Sequence, residues 1–260
     1  MPRFFVDASG SVGDIMIVEG SDALHISKSL RMKPGEGITL CDGRGTDYHC
    51  ELVRAAGSIA EVRVLSVTPT ISEPEVEITL YASIIKGDKM DIVIQKSVEL
   101  GVHSIVPVLS ERCIYKYDKT SEKNKLSRWN KISLEASKQS GRGRIPQVLP
   151  FMTFERALQE GMKADMRIIA YENGTIPIGD MIESSTYRTS AVFIGPEGGY
   201  TQKEVLTAEG YGFTPITLGN RILRAETAPL CVLSIMIYAA ERDSKKGRMS
   251  CEKEDEDIPV

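Results

Sequence analysis

Two segments of this chain carry residue types able to do chemistry together. They are Gly195-Pro196-Glu197-Gly198-Gly199 and, about twenty residues on, Leu218-Gly219-Asn220-Arg221-Ile222-Leu223-Arg224-Ala225-Glu226-Thr227-Ala228. Each follows an apolar, strand-like run and leads into a helical pattern, and turns of that kind at strand ends of an α/β sheet are where small ligands usually sit. Three glycines in five residues let a ligand approach the backbone of the first turn. Directly after it, Thr201-Gln202-Lys203-Glu204 fits a capping box, with Thr201 as N-cap and Glu204 reaching back. The turn therefore lies near a helix N-terminus, whose free N–H groups favour an anion. The spacing matches neither G-x-x-x-x-G-K-[ST] nor G-x-G-x-x-G, which disfavours P-loop and dinucleotide chemistry. In the second turn, Ile222 and Leu223 offer an apolar wall suited to a flat heterocycle. Arg224 and Glu226 either form a plain salt bridge or orient a substrate and handle its proton.

The elements that must position these turns follow from periodicity. Residues 1–70 read as mostly β, with short runs at Arg3–Val6, Ile15–Val18, Ile38–Cys41, Tyr48–Val53 and Ile59–Val67. One helix interrupts them, with Ser21 as its expected cap. Five short strands and a helix suggest a small β-barrel, and the proline-bearing stretch Thr68–Pro74 reads as a linker. From residue 75, strands alternate with helices: Val76–Ser83, Asp88–Leu100, Ser104–Leu109, Asn124–Ser140, Phe154–Gly161, Met166–Tyr171, Ser190–Ile194, Thr201–Glu209, Thr214–Leu218 and Glu226–Arg242. That order predicts a largely parallel sheet covered on both faces. The last helix is apolar on nearly all sides, which predicts burial all round and a subunit interface; a central helix of a monomer is the other reading.

Composition sets the bounds. At 260 residues and 42% apolar the chain is an ordinary globular protein, with no run long enough to span a bilayer and no signal-peptide pattern, so the expectation is cytoplasmic. Five cysteines without a C-x-x-C pair and three histidines without ligand spacing predict no metal site. Net charge is −4, but residues 251–260 hold five acids and one lysine, so the rest sums to zero. Residues 111–146 hold ten Lys/Arg against four Asp/Glu, a local field able to meet phosphates or simply a solvated helix face. Lys86, Lys89, Arg112, Arg142 and Arg144 stand where RNA could meet them, and the Gly141-Arg142-Gly143-Arg144 run reads as a flexible cationic loop. Trp129, at helical spacing from Leu126 and Ile132, reads as core.

Several stretches in order carry a resemblance. They are Lys86-Gly87-Asp88-Lys89-Met90-Asp91, Gln95 to Val102, Ser110-Glu111-Arg112, Glu135 to Arg142, the Gly195–Gly199 turn with Glu204, and Leu218–Ala228, preceded by Leu30-Arg31-Met32-Lys33-Pro34-Gly35. Together they make the chain similar to the RsmE family of the SPOUT superfamily, the ribosomal small-subunit (16S) RNA uracil-N3 methyltransferases. The resemblance implies a PUA-like N-terminal barrel over residues 1–72 and an α/β methyltransferase domain over 73–243 with a C-terminal trefoil knot. Residues 244–260 form a charged tail outside it, expected to be disordered. It further implies a homodimer and S-adenosyl-L-methionine as cofactor, held by Ala170, Tyr171, Gly195, Glu197, Gly198, Gly199, Leu218, Gly219, Ile222, Leu223 and Ala228. Arg224 and Glu226 become the catalytic pair: Arg224 donates to the uracil imide oxygens, and Glu226 acts as base or as a buttress for Arg224. The RNA-binding set is Arg3, Arg31, Lys86, Lys89, Arg112, Arg142 and Arg144, facing free ribosomal RNA or the assembled 30S subunit. A knotted enzyme acting on another base or on tRNA, a non-catalytic RNA-binding protein, and a phosphate-ligand α/β enzyme remain as alternatives.

Overall fold

The computed structural model describes residues 1–7, 9–114 and 118–255, with side chains described through 242. The chain divides into two compact units, Met1–Glu73 with Ser137–Ile145, and Pro74–Ala136 with Pro146–Val260.

The first unit is built on β1 (Arg3–Phe5), β2 (Ile15–Glu19), β3 (Gly37–Cys41), β4 (Thr46–Ala56) and β5 (Ile59–Pro69), in the order β1-β3-β4-β5-β2. All pairs are antiparallel except β1 with β3. Alternate residues Val62 and Val64 on β5 and Cys50 and Leu52 on β4 join Ile38, Leu40 and Ile26 in one core, the period of two that a half-buried sheet requires. Register shifts at His49/Cys50 and Leu52/Arg54 mark bulges that add twist. The end strands β1 and β2 do not pair, so the closed barrel expected from the strand count is an open five-stranded sheet.

Three local expectations are corrected here. The helix α1 begins at Gly20, with Glu19 at its cap and no side-chain bond from Ser21, and passes directly into a π-helical turn over His25–Ser29. The Thr68–Pro74 stretch contains the boundary between the two units but is no loose linker: β5 runs through Pro69, and the Thr70, Ser72 and Glu73 side chains all make hydrogen bonds. The 141–144 run is packed rather than flexible, since Gly143 is buried and a β-carbon there would lie 2.5 Å from Thr70.

The second unit holds a parallel sheet. Its strands are β6 (Glu77–Ser83), β7 (Ser104–Leu109), β8 (Gln147–Val148), β9 (Met152–Thr153), β10 (Met166–Ala170), β11 (Ile176–Pro177), β12 (Thr189–Ile194) and β13 (Thr214–Thr217), ordered β11-β13-β10-β12-β6-β7-β8 with β9 also on β7. Helices are α2 (Lys89–Glu99), α3 (Lys119–Ser140, of which residues 137–140 count with the first unit), α4 (Phe154–Gly161), α5 (Ile178–Glu183), α6 (Gln202–Gly210) and α7 (Ala228–Asp255). Side-chain alternation divides them between two layers. Ile78, Leu80 and Ala82 of β6 share a cluster with residues of α2, α3, α5 and α7. Tyr81 of the same strand joins Phe193, α4 and α6 in another. The α7 backbone stays helical to Asp255, through the start of the stretch expected to be an unstructured tail; residues 256–260 lie outside the described ones.

Candidate active site

Strand order decides where the site falls. β10, β12 and β13 are contiguous with β6 at their flank, and the segments leaving their carboxyl ends include both glycine turns. Chain order reverses here, since β12 inserts between β10 and β6, and such a switch point is where an open α/β sheet takes its ligand.

The first turn leaves β12. Gly199 takes φ +66°, a conformation that favours glycine, and a β-carbon there would come within 3.1 Å of Glu172 Oε2. The capping box after it is present in full. Thr201 accepts from the Glu204 N–H, and Glu204 Oε2 accepts from the Thr201 N–H at 2.9 Å. Glu204 does more than its spacing indicates, because its Oε1 also accepts from the Glu111 N–H at 2.8 Å, tying the β7 loop to the start of α6. Arg112 from that loop donates to the Gly198 carbonyl at 2.7 Å, and the Lys86 N–H donates to Glu197 Oε1 at 3.0 Å. Two cations assigned to RNA thus hold the turn, Lys86 through its backbone and Arg112 through its side chain. Below the turn Tyr200 is buried; its hydroxyl accepts from Ser83 Oγ at 3.3 Å, and burial pushes its pKa well up.

The second turn leaves β13. Gly219 takes φ +104°, and a β-carbon there would enter open space. Ile222 is 89% exposed, an uncovered apolar side chain beside exposed main chain, while Leu223 packs on the core. Arg224 is 81% exposed and Glu226 19%, with 4.0 Å between them. The nearer partner of Glu226 is Lys89, at 3.2 Å. The Glu226 carboxyl is held below its ordinary value by its own backbone N–H, with Lys89 and Arg224 adding to the shift and burial opposing it. A carboxylate so stabilised is a weak proton acceptor, which favours buttress over base. Lys86 lies in the loop before α2 and Lys89 is the first residue of α2, so this loop-to-helix junction touches both turns.

A third segment was visible only in part. Ala170 ends β10, and the Tyr171 N–H donates to the Ile216 carbonyl at 3.0 Å. The turn that follows brings Glu172 to Gly199, and a β-carbon on Gly174 would lie 2.6 Å from the Ile216 carbonyl. Neither Glu172 nor Gly174 has a local sequence signal, since both act through contact with distant strands.

Two of the cations expected to meet RNA lie instead against internal carboxylates. Arg142 has 5% side-chain exposure, and Glu73 accepts from its Nε and Nη2 at 2.9 and 2.8 Å and from the Gly143 N–H at 2.7 Å. Arg3 is 12% exposed and forms a two-point pair with Asp47. Both guanidiniums are largely buried and paired with internal carboxylates, Asp47 and Glu73. Arg144 and Arg31 stay exposed, Arg31 with φ +52°. Trp129 is core, donating to Asp91 Oδ1 at 3.0 Å. Burial of α7 all round is also not found: Val232, Leu233 and Met236 are buried, while Tyr238 is 68% exposed.

Comparison with known proteins agrees with this geometry. Residues 72–237 match the family model of an RNA methyltransferase domain, and residues 18–65 that of an RNA methyltransferase PUA domain. A Bacillus subtilis protein named ribosomal RNA small subunit methyltransferase E is 33% identical over 93% of this chain and 98% of its own length. The Neisseria gonorrhoeae protein of that name, solved bound to S-adenosyl methionine, is 40% identical with a TM-score of 0.82, covering 91% of this chain and 96% of that one. A Legionella pneumophila methyltransferase structure, also holding that cofactor, is 31% identical with a TM-score of 0.80 over 91% and 97%. With most of its length accounted for in this way, the chain belongs to the RNA methyltransferase family, PUA domain included.

Proposed function

We propose that this protein transfers a methyl group from S-adenosyl-L-methionine to N3 of a uridine in 16S ribosomal RNA. The observation that carries the reading is the convergence of three segments, from β10, β12 and β13, at one carboxyl edge of the sheet, with Arg224 exposed beside them. The cofactor's chemistry fits the residues. Gly219 leaves a space that any side chain would fill, Ile222 offers an uncovered apolar surface to a purine, and Glu172 beside Gly199 supplies a carboxylate for an ammonium. Ala170, Tyr171, Gly195, Glu197, Gly198, Gly199, Leu218, Leu223 and Ala228 complete the holding set. When bound, this cofactor supplies a methyl group already activated on a sulfonium.

The chain's own residues then align the base and manage charge. Positioning alone is worth on the order of 7–11 kcal/mol at best. Loss of the N3 proton spreads negative charge onto both ring carbonyls, and the Arg224 guanidinium stabilises it there. Glu226, ionised and paired with Lys89, fixes the backbone that carries Arg224. The same reading includes a trefoil knot in the segments around β12 and β13, a cytoplasmic setting, and a homodimer through α7, whose stripe of half-buried Cys231 and Ile235 with exposed Tyr238 supports such a contact. Among the described residues, no helix is long and apolar enough to cross a membrane.

The test is incubation with methyl-labelled cofactor and separate pools of free 16S RNA, assembled 30S subunits and tRNA, with the product nucleoside identified by mass spectrometry. The expected product is 3-methyluridine in small-subunit RNA. Arg224→Ala should cut turnover about 10²–10³-fold with cofactor affinity nearly unchanged. Label in tRNA or on another base refutes the substrate assignment.

A further inference from the structure

The exposed cations of α3 form a surface that the two turns do not use. Viewed down the helix at about 100° per residue, Lys119, Lys123, Arg128 and Lys131 fall on one arc, and all four are exposed. Trp129, Ser133 and Ala136 occupy the opposite, buried side. Acids do not balance the arc. Glu122 is turned inward and accepts from the Phe151 N–H at 2.9 Å, which leaves Glu135 at one end and Asp118 at the other. Lys119, Lys123 and Lys131 have no acidic partner among the described residues. Along the flank of the same helix lies a recess of about 430 Å³, lined by Asp118, Thr120, Ser121, Asn124, Lys125 and Arg128. It is shallow and open to solvent, and its lining is hydroxyl, amide and charged groups without an apolar side chain.

This surface is joined to the candidate active site by ionic contacts. Arg128 pairs with Asp88, at 3.2 Å, and with Asp91, at the start of α2. Lys89, between those two acids in sequence, pairs with Glu226 of the second turn. A polyanion lying along α3 therefore approaches the loop that supports Arg224.

We propose that the Lys119–Lys131 face of α3, with the recess beside it, is the surface on which the RNA strand flanking the target uridine lies, its phosphates following Lys119, Lys123 and Lys131 and one nucleotide seated against Arg128. The occupant follows from charge: the arc spans about 18 Å of helix with three unpaired ammonium groups, which complements a phosphate backbone and no particular base. This rests on the RNA methyltransferase reading above, and it moves the main electrostatic contact from the buried Arg3 and Arg142 to α3.

The test compares the full-length protein with a K119Q/K123Q/K131Q variant and with K119R/K123R/K131R. Binding of transcribed 16S RNA is measured between 50 and 200 mM salt. Each phosphate contact contributes about 0.7–0.9 to the slope of log K against log salt, so the glutamine variant should lose about 2–3 from that slope. The arginine variant should keep the slope. Cofactor affinity should be equal in all three, which also reports intact folding, and the RNA KM should rise more than kcat falls. A glutamine variant with the wild-type slope overturns the proposal, whatever acidic partner the face then serves. Wild type that binds with a lysine-dependent slope but transfers no methyl group refutes the enzymatic reading and leaves the surface standing. Methylation with a lysine-independent slope does the reverse.

Discussion

Arg142→Met separates scaffold from RNA contact most sharply. In the wild type one carboxylate, Glu73, accepts from two guanidinium nitrogens and from the Gly143 and Arg144 N–H groups, the last at 3.2 Å. Exposure of the two side chains is 5% and 18%, so water contributes little to either. Methionine keeps the aliphatic bulk but strands the Glu73 charge against two backbone donors. Removing one partner of a buried pair costs about 3–5 kcal/mol, and the lower figure applies because both N–H bonds survive. If the first unit melts by itself, at about 4–8 °C per kcal/mol for a domain of its size, Tm falls by about 12–24 °C. If the whole chain melts as one, the fall is about half that. The pH dependence has a fixed sign. Burial would raise the Glu73 pKa, but the guanidinium and the N–H groups outweigh it, and the folded value lies below the ordinary 4.5. Wild type therefore holds this contribution above about pH 4.5 and loses it as pH falls through the folded value. The gap between wild type and variant should be widest near neutrality and narrow in acid. Calorimetric melts at pH 7 and pH 4, beside RNA binding at several salt concentrations, decide the matter. A variant melting within 2 °C of wild type, yet with a shallower salt slope for RNA, would refute the structural role and restore Arg142 as a phosphate ligand.

Other expectations concern the site itself. Glu204→Gln loses the charge-assisted bonds to the Thr201 and Glu111 N–H groups; stability should fall by about 1–2 kcal/mol and cofactor affinity with it, read by thermal melts and calorimetric titration. Glu226→Gln should reduce kcat less than Arg224→Ala does. Because the Glu226 carboxyl lies below its ordinary value, it is ionised across pH 6–9, so the rising limb of the wild-type pH–rate profile should survive unchanged in the variant; its disappearance would make Glu226 the base. Gly174→Ala drives a β-carbon to 2.6 Å from the Ile216 carbonyl, and displacing the end of β13 should cost about 1–3 kcal/mol and weaken the cofactor. Gly179→Ala, within α5 with open space around it, should stabilise by about 0.5–1 kcal/mol and serves as the matched control in the same melts.

Where local pattern suffices, sequence and structure agree. β7 at Ser104–Leu109 and α4 at Phe154–Gly161 fall where periodicity places them, because apolar period and burial agree there. The capping box at Thr201 was legible because cap and partner are three residues apart. Elements that exist only through their neighbours were not. β8, β9 and β11 are two residues each, too short to show a period, and are strands only because β7 and β13 offer edges. The open first sheet has the same cause: counting strands suggests closure, but closure is decided by whether β1 and β2 meet.

Charges illustrate the limit most clearly, since a sequence counts every cation alike while a fold removes those that find acids. The partners involved are far apart along the chain: 44 positions for Arg3 and Asp47, 69 for Arg142 and Glu73, and 137 for Lys89 and Glu226. No window-based charge excess can register them. Within residues 111–146 the subtraction is large. Arg142 goes to Glu73, Lys138 to Asp22, Arg128 to Asp88 and Asp91, and Arg112 to the Gly198 carbonyl, while Lys116 lies outside the described residues. Arg142, flanked by glycines on both sides, is among the least accessible cations, because glycine also lets a loop pack closely enough to bury an ion pair, while its neighbour Arg144 stays exposed. Lys119, Lys123 and Lys131 of α3 had no motif to recommend them, and among the described residues no acid pairs with them. Uncancelled charge, rather than total charge, sets the field a phosphate backbone meets, and it is the quantity that the salt dependence of RNA binding measures.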